Sequence, residues 1–117
     1  MTKKTSKIDI NITLGEDRIP ESINWTAKDS GKEDQEAKAM LLSFFDKENR
    51  ETLKIDLWTK EMQVLEMDRF MYHTLRGLAD AYFRATNNQK VAGAMQQFVQ
   101  FFGEQTEIIP RSKQDQD

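Results

Sequence analysis

The spacing of the apolar residues changes once along this chain, and that change restricts the fold more than any other feature. Between Lys7 and Leu14, apolar and polar residues alternate strictly as K-I-D-I-N-I-T-L. A period of two is typical of a strand with one buried face. From Val64 onward, apolar residues recur three and four positions apart, which is the period of an amphipathic helix. The chain is therefore predicted to begin with strands and to end with helices.

Three further segments predict strands before the change of period. Residues 22–27 (S-I-N-W-T-A) and 51–60 (E-T-L-K-I-D-L-W-T-K) alternate in the same way. Residues 37–45 carry apolar side chains at both parities, so a helix is an alternative there, because Ala, Met and Leu favour helices. We favour a strand covered on both faces, since residues 46–50 are typical of a hairpin loop. Residues 28–35, K-D-S-G-K-E-D-Q, are expected to form a polar loop.

Two helices follow from the later spacing. The first begins near Val64, Thr86-Asn87-Asn88 interrupts it, and Asn88 is a candidate N-cap for a second helix over residues 89–105. Gly103 is expected to weaken the last turn of that helix. We expect both apolar stripes to be core, and their members are Met67, Phe70, Met71, Thr74, Leu75, Leu78, Tyr82 and Ala85 in the first helix and Val91, Ala94, Met95, Phe98, Phe101 and Phe102 in the second.

The order of the elements indicates the α+β class, because a run of strands is followed by a run of helices. We predict ββββαα, a four-stranded antiparallel sheet followed by two helices packed on one of its faces. A chain of 117 residues has the size of one domain, and residues 7–106 are assigned to a single α+β domain. Residues 1–6 and 110–117 are polar and are expected to be flexible tails.

The distribution of charge argues against two classes of partner. The formal net charge is −3, and no basic run extends beyond Lys3-Lys4. Nucleic-acid binding and peripheral membrane binding both need clustered basic residues, so we expect neither. No apolar window approaches the ~18 residues of a membrane span, and no signal peptide is visible. We therefore expect no membrane insertion and a cytoplasmic location, which the absence of cysteines also fits.

No group of residues has the spacing of a catalytic centre. His73 is the only histidine, and without a second ligand or a marked nucleophile it is expected to be a partly exposed helix residue. The acidic loops lack calcium-loop spacing, and the glycines are isolated. Asp56, Trp58 and Lys60 could line a small-ligand pocket, but such residues more often form the half-solvated face of a sheet. We expect no enzyme activity, no catalytic residue, no cofactor and no metal.

The outer face of the predicted sheet carries more apolar side chains than a solvated face should. Trp58 is expected to point away from the helices, and strand pairing places one parity of residues 37–45 beside it. The predicted protein-interface residues are Met40, Leu42, Phe44 and Trp58. A homo-oligomer is the expected assembly. The alternatives are a different strand register, or coverage of this face by residues 28–35.

Four segments resemble those of a known family in sequence, order and spacing. They are I-N-W-T-A (23–27), E-A-K-A-M-L-L-S (36–43), E-T-L-K-I-D-L-W-T-K (51–60) and R-A-T (84–86). Together they resemble the GldC family of gliding-motility proteins, and the resemblance extends over residues 7–103. It implies a cytoplasmic Bacteroidetes accessory protein with protein partners among gliding or secretion components. It implies no reaction and no catalytic residues.

The ββββαα order is also similar to that of SecB-type export chaperones, which associate through their sheets and bind unfolded clients on apolar surface. This similarity is one of fold alone and has no residue motif. The sequence therefore supports two functional hypotheses. One is a non-enzymatic accessory protein of the gliding machinery that acts through protein–protein contacts. The other is a SecB-like chaperone or adaptor that binds client proteins for secretion.

Overall fold

The strands and helices occupy separate halves of the chain, as the two apolar periods predict. The computed structural model describes residues 2–111, and the chain divides into two compact units between Met62 and Gln63. The predicted tails lie partly outside the described residues, at residue 1 and residues 112–117. The elements are β1 (Asp9–Leu14), β2 (Pro20–Ala27), β3 (Lys32–Ala37), β4 (Ala39–Phe45), β5 (Thr52–Trp58), α1 (Val64–Thr86) and α2 (Gln89–Gln105).

The strands form two antiparallel sheets instead of the single four-stranded sheet that we predicted. Sheet A has the order β1-β2-β3, and sheet B consists of β4 and β5. The α+β class and the antiparallel pairing are confirmed. The difference arises at Lys38, where a bend separates β3 from β4. The strand segment before this bend pairs with β2 and the segment after it pairs with β5, so consecutive residues leave one sheet and enter the next.

The predicted polar loop at residues 28–35 is wrong in its second half. Residues Lys28–Ser30 form a short 3-10 turn, Gly31 adopts a left-handed φ of 73°, and β3 begins at Lys32. The hydrophobic period could not reveal this strand, because its first five residues are polar and exposed. Backbone pairing with β2 holds it, supported by a bond from the Asp34 N–H to Thr26 Oγ1 at 3.0 Å.

Sheet A has one apolar face. In the β1–β2 register, Ile10 lies opposite Trp25 and Ile12 lies opposite Ile23. Ile23 in turn lies opposite Ala37 of β3, and directly opposed residues of antiparallel strands share a face. Ile23 is the most deeply buried large side chain among the described residues. The strand predicted at β1 is thus confirmed, and Ile10 and Ile12 lie on one face of the sheet. The prediction that this face is buried is wrong for β1, since all six of its residues are exposed.

Two contacts tie the ends of the two sheets together within the first unit. The Thr59 N–H donates to the Lys38 carbonyl at 2.8 Å, directly after β5 and at the bend. The Lys60 ammonium lies 2.7 Å from the Asp17 carboxylate, which belongs to the turn between β1 and β2. The bend is therefore fixed by a backbone hydrogen bond, and an ion pair lies beside it.

The helices begin and end where the sequence predicts. At the start of α1, the Gln63 N–H donates to Glu66 Oε1 at 3.1 Å. The helix ends at Asn87, which has a left-handed φ of 57°. The Asn88 side chain accepts from the Val91 N–H at 3.1 Å, which confirms Asn88 as the N-cap of α2.

The helices bury a different set of apolar residues from the one we predicted. The buried apolar residues of α1 and α2 are Tyr72, Ala79, Ala92 and Val99. Phe98 and Phe101 are each more than half exposed, so the assignment of the phenylalanine stripe to the core is wrong for these two. Gly103 is buried, and a Cβ placed there would come within 2.6 Å of the Tyr72 ring. The helices approach closely where a residue is small, which leaves the larger side chains beside the contact.

We predict that Gly103→Ala destabilises the protein and that Gly93→Ala stabilises it. A Cβ at Gly103 would meet Tyr72 at 2.6 Å and Ile109 at 2.9 Å, whereas nothing lies within 4 Å of a Cβ at Gly93. We expect overpacking to cost about 1–3 kcal/mol, while the helix propensity of alanine contributes about 0.5–1 kcal/mol. Urea unfolding of both variants measures the two free energies. Equal changes in the free energy of unfolding at the two positions would contradict the close contact between Gly103 and Tyr72.

Candidate functional site

Sheet B presents one face made entirely of apolar side chains. The register places Met40 opposite Leu57, Leu42 opposite Ile55 and Phe44 opposite Leu53, so all six side chains share a face. We call this surface the sheet B apolar face, and its members are Met40, Leu42, Phe44, Leu53, Ile55 and Leu57. A sheet face on which every residue is apolar is expected to be covered by other protein surface, since solvated faces carry polar residues.

The sheet B apolar face is only partly covered by the chain itself. Phe44 is 57% exposed, and Leu53 and Ile55 are about half exposed, while Met40 and Leu42 are half-buried. Isolated two-stranded sheets are at best marginally stable in water. Contiguous exposed apolar side chains mark interaction surfaces in soluble proteins. This face is therefore the best candidate for a protein-binding site among the described residues.

Trp58 does not share this face, and our prediction that it does is wrong. It lies opposite Ala39, on the other side of sheet B, together with Leu41 and Phe45. Trp58 is 53% exposed and Phe45 is 70% exposed. This reverse face is mixed, because polar residues alternate with the apolar ones, and the polar members are Ser43, Thr52, Lys54 and Asp56.

The length of the β4–β5 loop explains the error. A loop of residues 46–50 would have paired Phe45 with Glu51 and placed Trp58 on the face of Phe44. Phe45 instead pairs with Thr52, and a change of one residue in register moves every side chain to the other face. The loop between the paired residues is thus one residue longer than predicted. Asp46 Oδ2 stabilises it by accepting the N–H groups of residues 48 and 49, and the residue at position 50 turns the chain with a left-handed φ of 60°.

Asp56, Trp58 and Lys60, the candidate ligand-binding set, do not act together. Asp56 and Trp58 lie on the reverse face of sheet B, while the Lys60 amine is bound to the Asp17 carboxylate at 2.7 Å. That hydrogen bond raises the pKa of Lys60 and lowers the pKa of Asp17. A lysine acting as a general base needs the opposite change. The ion pair therefore favours the charged forms of both groups and prepares neither for proton transfer.

His73 lies exposed on α1, as expected. Its ring stands edge-on to Tyr72 with the centroids 5.2 Å apart. Within residues 2–111, no three histidine or carboxylate side chains are grouped as a metal site would require. No helix in the same range is long and apolar enough to cross a membrane.

Two of the grooves on the helical unit are lined by residues of both helices. One, of about 820 Å³, is lined by polar residues such as His73, Arg76 and Gln100 together with apolar ones. The other, of about 380 Å³, is almost wholly apolar and includes Leu78, where α1 faces Val91 and Phe98 of α2. The sequence indicated the apolar residues of this second groove but assigned them to the core.

Comparison with known proteins identifies one family. The family model described as "Gliding motility-associated protein GldC-like" matches residues 20–108, which lie largely within the segment where the sequence showed the resemblance. No curated protein and no solved structure matches the chain.

We predict that Lys60→Met raises the pKa of the Asp17 carboxyl towards its ordinary value, because the ammonium is the main cause of the lowered pKa. The pair stabilises the fold only while both partners are charged. For Asp17, whose pKa is lowered on folding, that contribution is lost as pH falls through its folded pKa. For Lys60, whose pKa is raised, it is lost as pH rises through its folded pKa.

The stability difference between the wild type and Lys60→Met should therefore span roughly pH 4 to 10 and vanish in acid. NMR titration of the Asp17 carboxyl and thermal unfolding across this range provide the two measurements. An unchanged Asp17 pKa in the variant would show that the ion pair does not form in solution.

Proposed function

The chain belongs to the GldC-like family of gliding motility-associated proteins, and we propose that it is a non-enzymatic accessory protein of the gliding machinery that works by binding other proteins. The supporting observation is the sheet B apolar face, on which six of six side chains are apolar and three are about half exposed or more. A cytoplasmic location stays a prediction from the sequence and its family resemblance.

The anchors of this contact are the residues that the sequence pointed to, together with their cross-strand neighbours. Met40, Leu42 and Phe44 supply one row of the face, and β5 supplies the second row. Methionine and phenylalanine suit such a site, because methionine adapts its shape and phenylalanine buries a large area.

The energy available on this face indicates the kind of partner. Full burial of a large apolar side chain contributes about 1.5–3 kcal/mol, so covering the exposed halves of Phe44, Leu53 and Ile55 contributes about 2–5 kcal/mol. Association itself costs an estimated 4–15 kcal/mol. The face alone therefore cannot hold a partner tightly, and the partner must also contact neighbouring surface, such as the exposed strand edges of sheet B.

The central prediction compares two neighbouring phenylalanines on opposite faces of β4. Phe44→Asp places a charge in the sheet B apolar face and should abolish gliding when it replaces the wild-type residue on the chromosome. Phe45→Asp makes the same chemical change on the reverse face, where the side chain is 70% exposed, and should preserve most gliding. Colony spreading measures the effect, and immunoblotting shows that both variants accumulate.

Both aspartate variants should fold, because each replaces a side chain that is more than half exposed. Circular dichroism of the purified proteins checks this point. If Phe44→Asp accumulates normally, folds and supports full gliding, the sheet B apolar face is not the contact surface.

A chaperone-like function is the second candidate, and the spread of exposed apolar side chains favours it. Besides sheet B, the apolar groove of the helical unit exposes half or more of Leu78 and Phe98. A protein that binds unfolded clients needs several such surfaces, whereas an adaptor for one partner needs a single surface.

We predict that the wild type does not prevent aggregation of chemically reduced lysozyme at an equimolar ratio, if the adaptor function is correct. Light scattering measures the aggregation. Strong suppression of aggregation by the wild type, lost in Phe44→Asp and retained in Phe45→Asp, would support the chaperone function and contradict the adaptor function.

A further inference from the structure

Strand β1 forms an exposed edge of sheet A. All six of its residues, Asp9–Leu14, are exposed, and within residues 2–111 β1 pairs with β2 alone. The backbone N–H and C=O groups on its outer side therefore have no strand partner in that range. Such an edge is a template for pairing with another strand.

The two edges of sheet A differ in how they are protected. The opposite edge, β3, begins K-E-D-Q-E, and four of these five residues are charged. Charged residues are a common means of preventing edge-to-edge pairing. Strand β1 reads D-I-N-I-T-L, with a single charge at Asp9 and neither lysine nor proline. The β1 edge of sheet A thus lacks the charged residues that oppose pairing with another strand, whereas the β3 edge has them.

We propose that β1 pairs antiparallel with β1 of a second copy of this chain about a two-fold axis at Asn11. In this register Asn11 faces its own counterpart, Ile10 faces Ile12, and Ile8 faces Leu14. Each copy contributes the three strands of its sheet A, and the two sheets become one continuous six-stranded sheet. The pairing uses the edge of β1, whereas the proposed partner contact uses the sheet B apolar face, so different variants test the two proposals.

The alternation of the strand is the argument for a second copy. Asn11 is the centre of the segment 8–14, whose apolar residues occupy every even position. Pairing about Asn11 joins all seven residues and keeps the apolar side chains of both copies on one face. A shift by one residue would place isoleucines opposite polar residues. Pairing about Asp9 would bring two like charges together, which destabilises a strand pair.

The exposure of the side chains fits the same register. Ile8 and Leu14 are 68% and 53% exposed and lie at the two ends of the segment. The two-fold axis places each of them opposite the other in the second copy. The paired face continues the apolar face of sheet A, where Ile10 and Ile12 already pack beside Trp25 and Ile23. Pairing thus covers the most exposed apolar residues of the segment 8–14.

The chain contains no cysteine, so single cysteines report the register directly. Asn11→Cys should form a disulfide-linked dimer on mild oxidation about tenfold faster than Asp9→Cys or Thr13→Cys alone, because only position 11 meets itself within the 4.4–6.8 Å Cα separation of a disulfide. A mixture of the Asp9→Cys and Thr13→Cys proteins should cross-link to each other, because these positions are opposed. Non-reducing gel electrophoresis measures all four reactions.

Light scattering after size-exclusion chromatography provides the second measurement. The wild type should be a dimer. The double variant Ile8→Lys/Leu14→Lys should be a monomer, whereas the variant Phe44→Asp should remain a dimer. A wild type that stays monomeric at all concentrations overturns the proposal. So does a dimer that the lysine variant leaves unchanged, or one in which position 11 cross-links no faster than positions 9 and 13.

Discussion

The bend at Lys38 is the constraint on which the arrangement of the strands depends. Without it, residues 32–45 would form one strand of one sheet. With it, β3 completes sheet A and β4 leaves to pair with β5. The hydrogen bond from the Thr59 N–H to the Lys38 carbonyl fixes the point of departure. A two-stranded sheet has two faces and little of its own chain to cover them, so this bend is also what leaves the sheet B apolar face available to a partner.

The periods of the apolar residues were sufficient to predict both helices, the N-cap at Asn88 and the strand β1. They were not sufficient for β3, because a strand held by backbone pairing alone has no apolar period. They also failed for the core of the helical unit, where Gly103 and the small buried residues set the contact and Phe98 stays outside it. The period of the apolar residues indicates which side chains share a face of a helix. Which of those side chains are buried depends on where the two helices approach most closely.

The apolar period was also insufficient to predict which residues form the candidate site. The sequence identified Met40, Leu42 and Phe44 correctly as one row of side chains, but it placed Trp58 beside them. Pairing of Phe45 with Thr52 in place of Glu51 moves Trp58 to the reverse face and brings Leu53, Ile55 and Leu57 forward. Such a difference depends on hydrogen bonds to Asp46 within the hairpin loop, which no apolar pattern records. The result is a more uniform apolar face than the sequence suggested.

The claim that the sheet B apolar face binds another protein is tested most directly inside the cell. A photoreactive phenylalanine analogue at position 44 should give, on irradiation, a discrete adduct that mass spectrometry identifies as this chain joined to a different protein. The same analogue at position 45, on the reverse face of the same strand, should give far less of that adduct. No adduct at position 44, or equal adducts at both positions, would contradict the account.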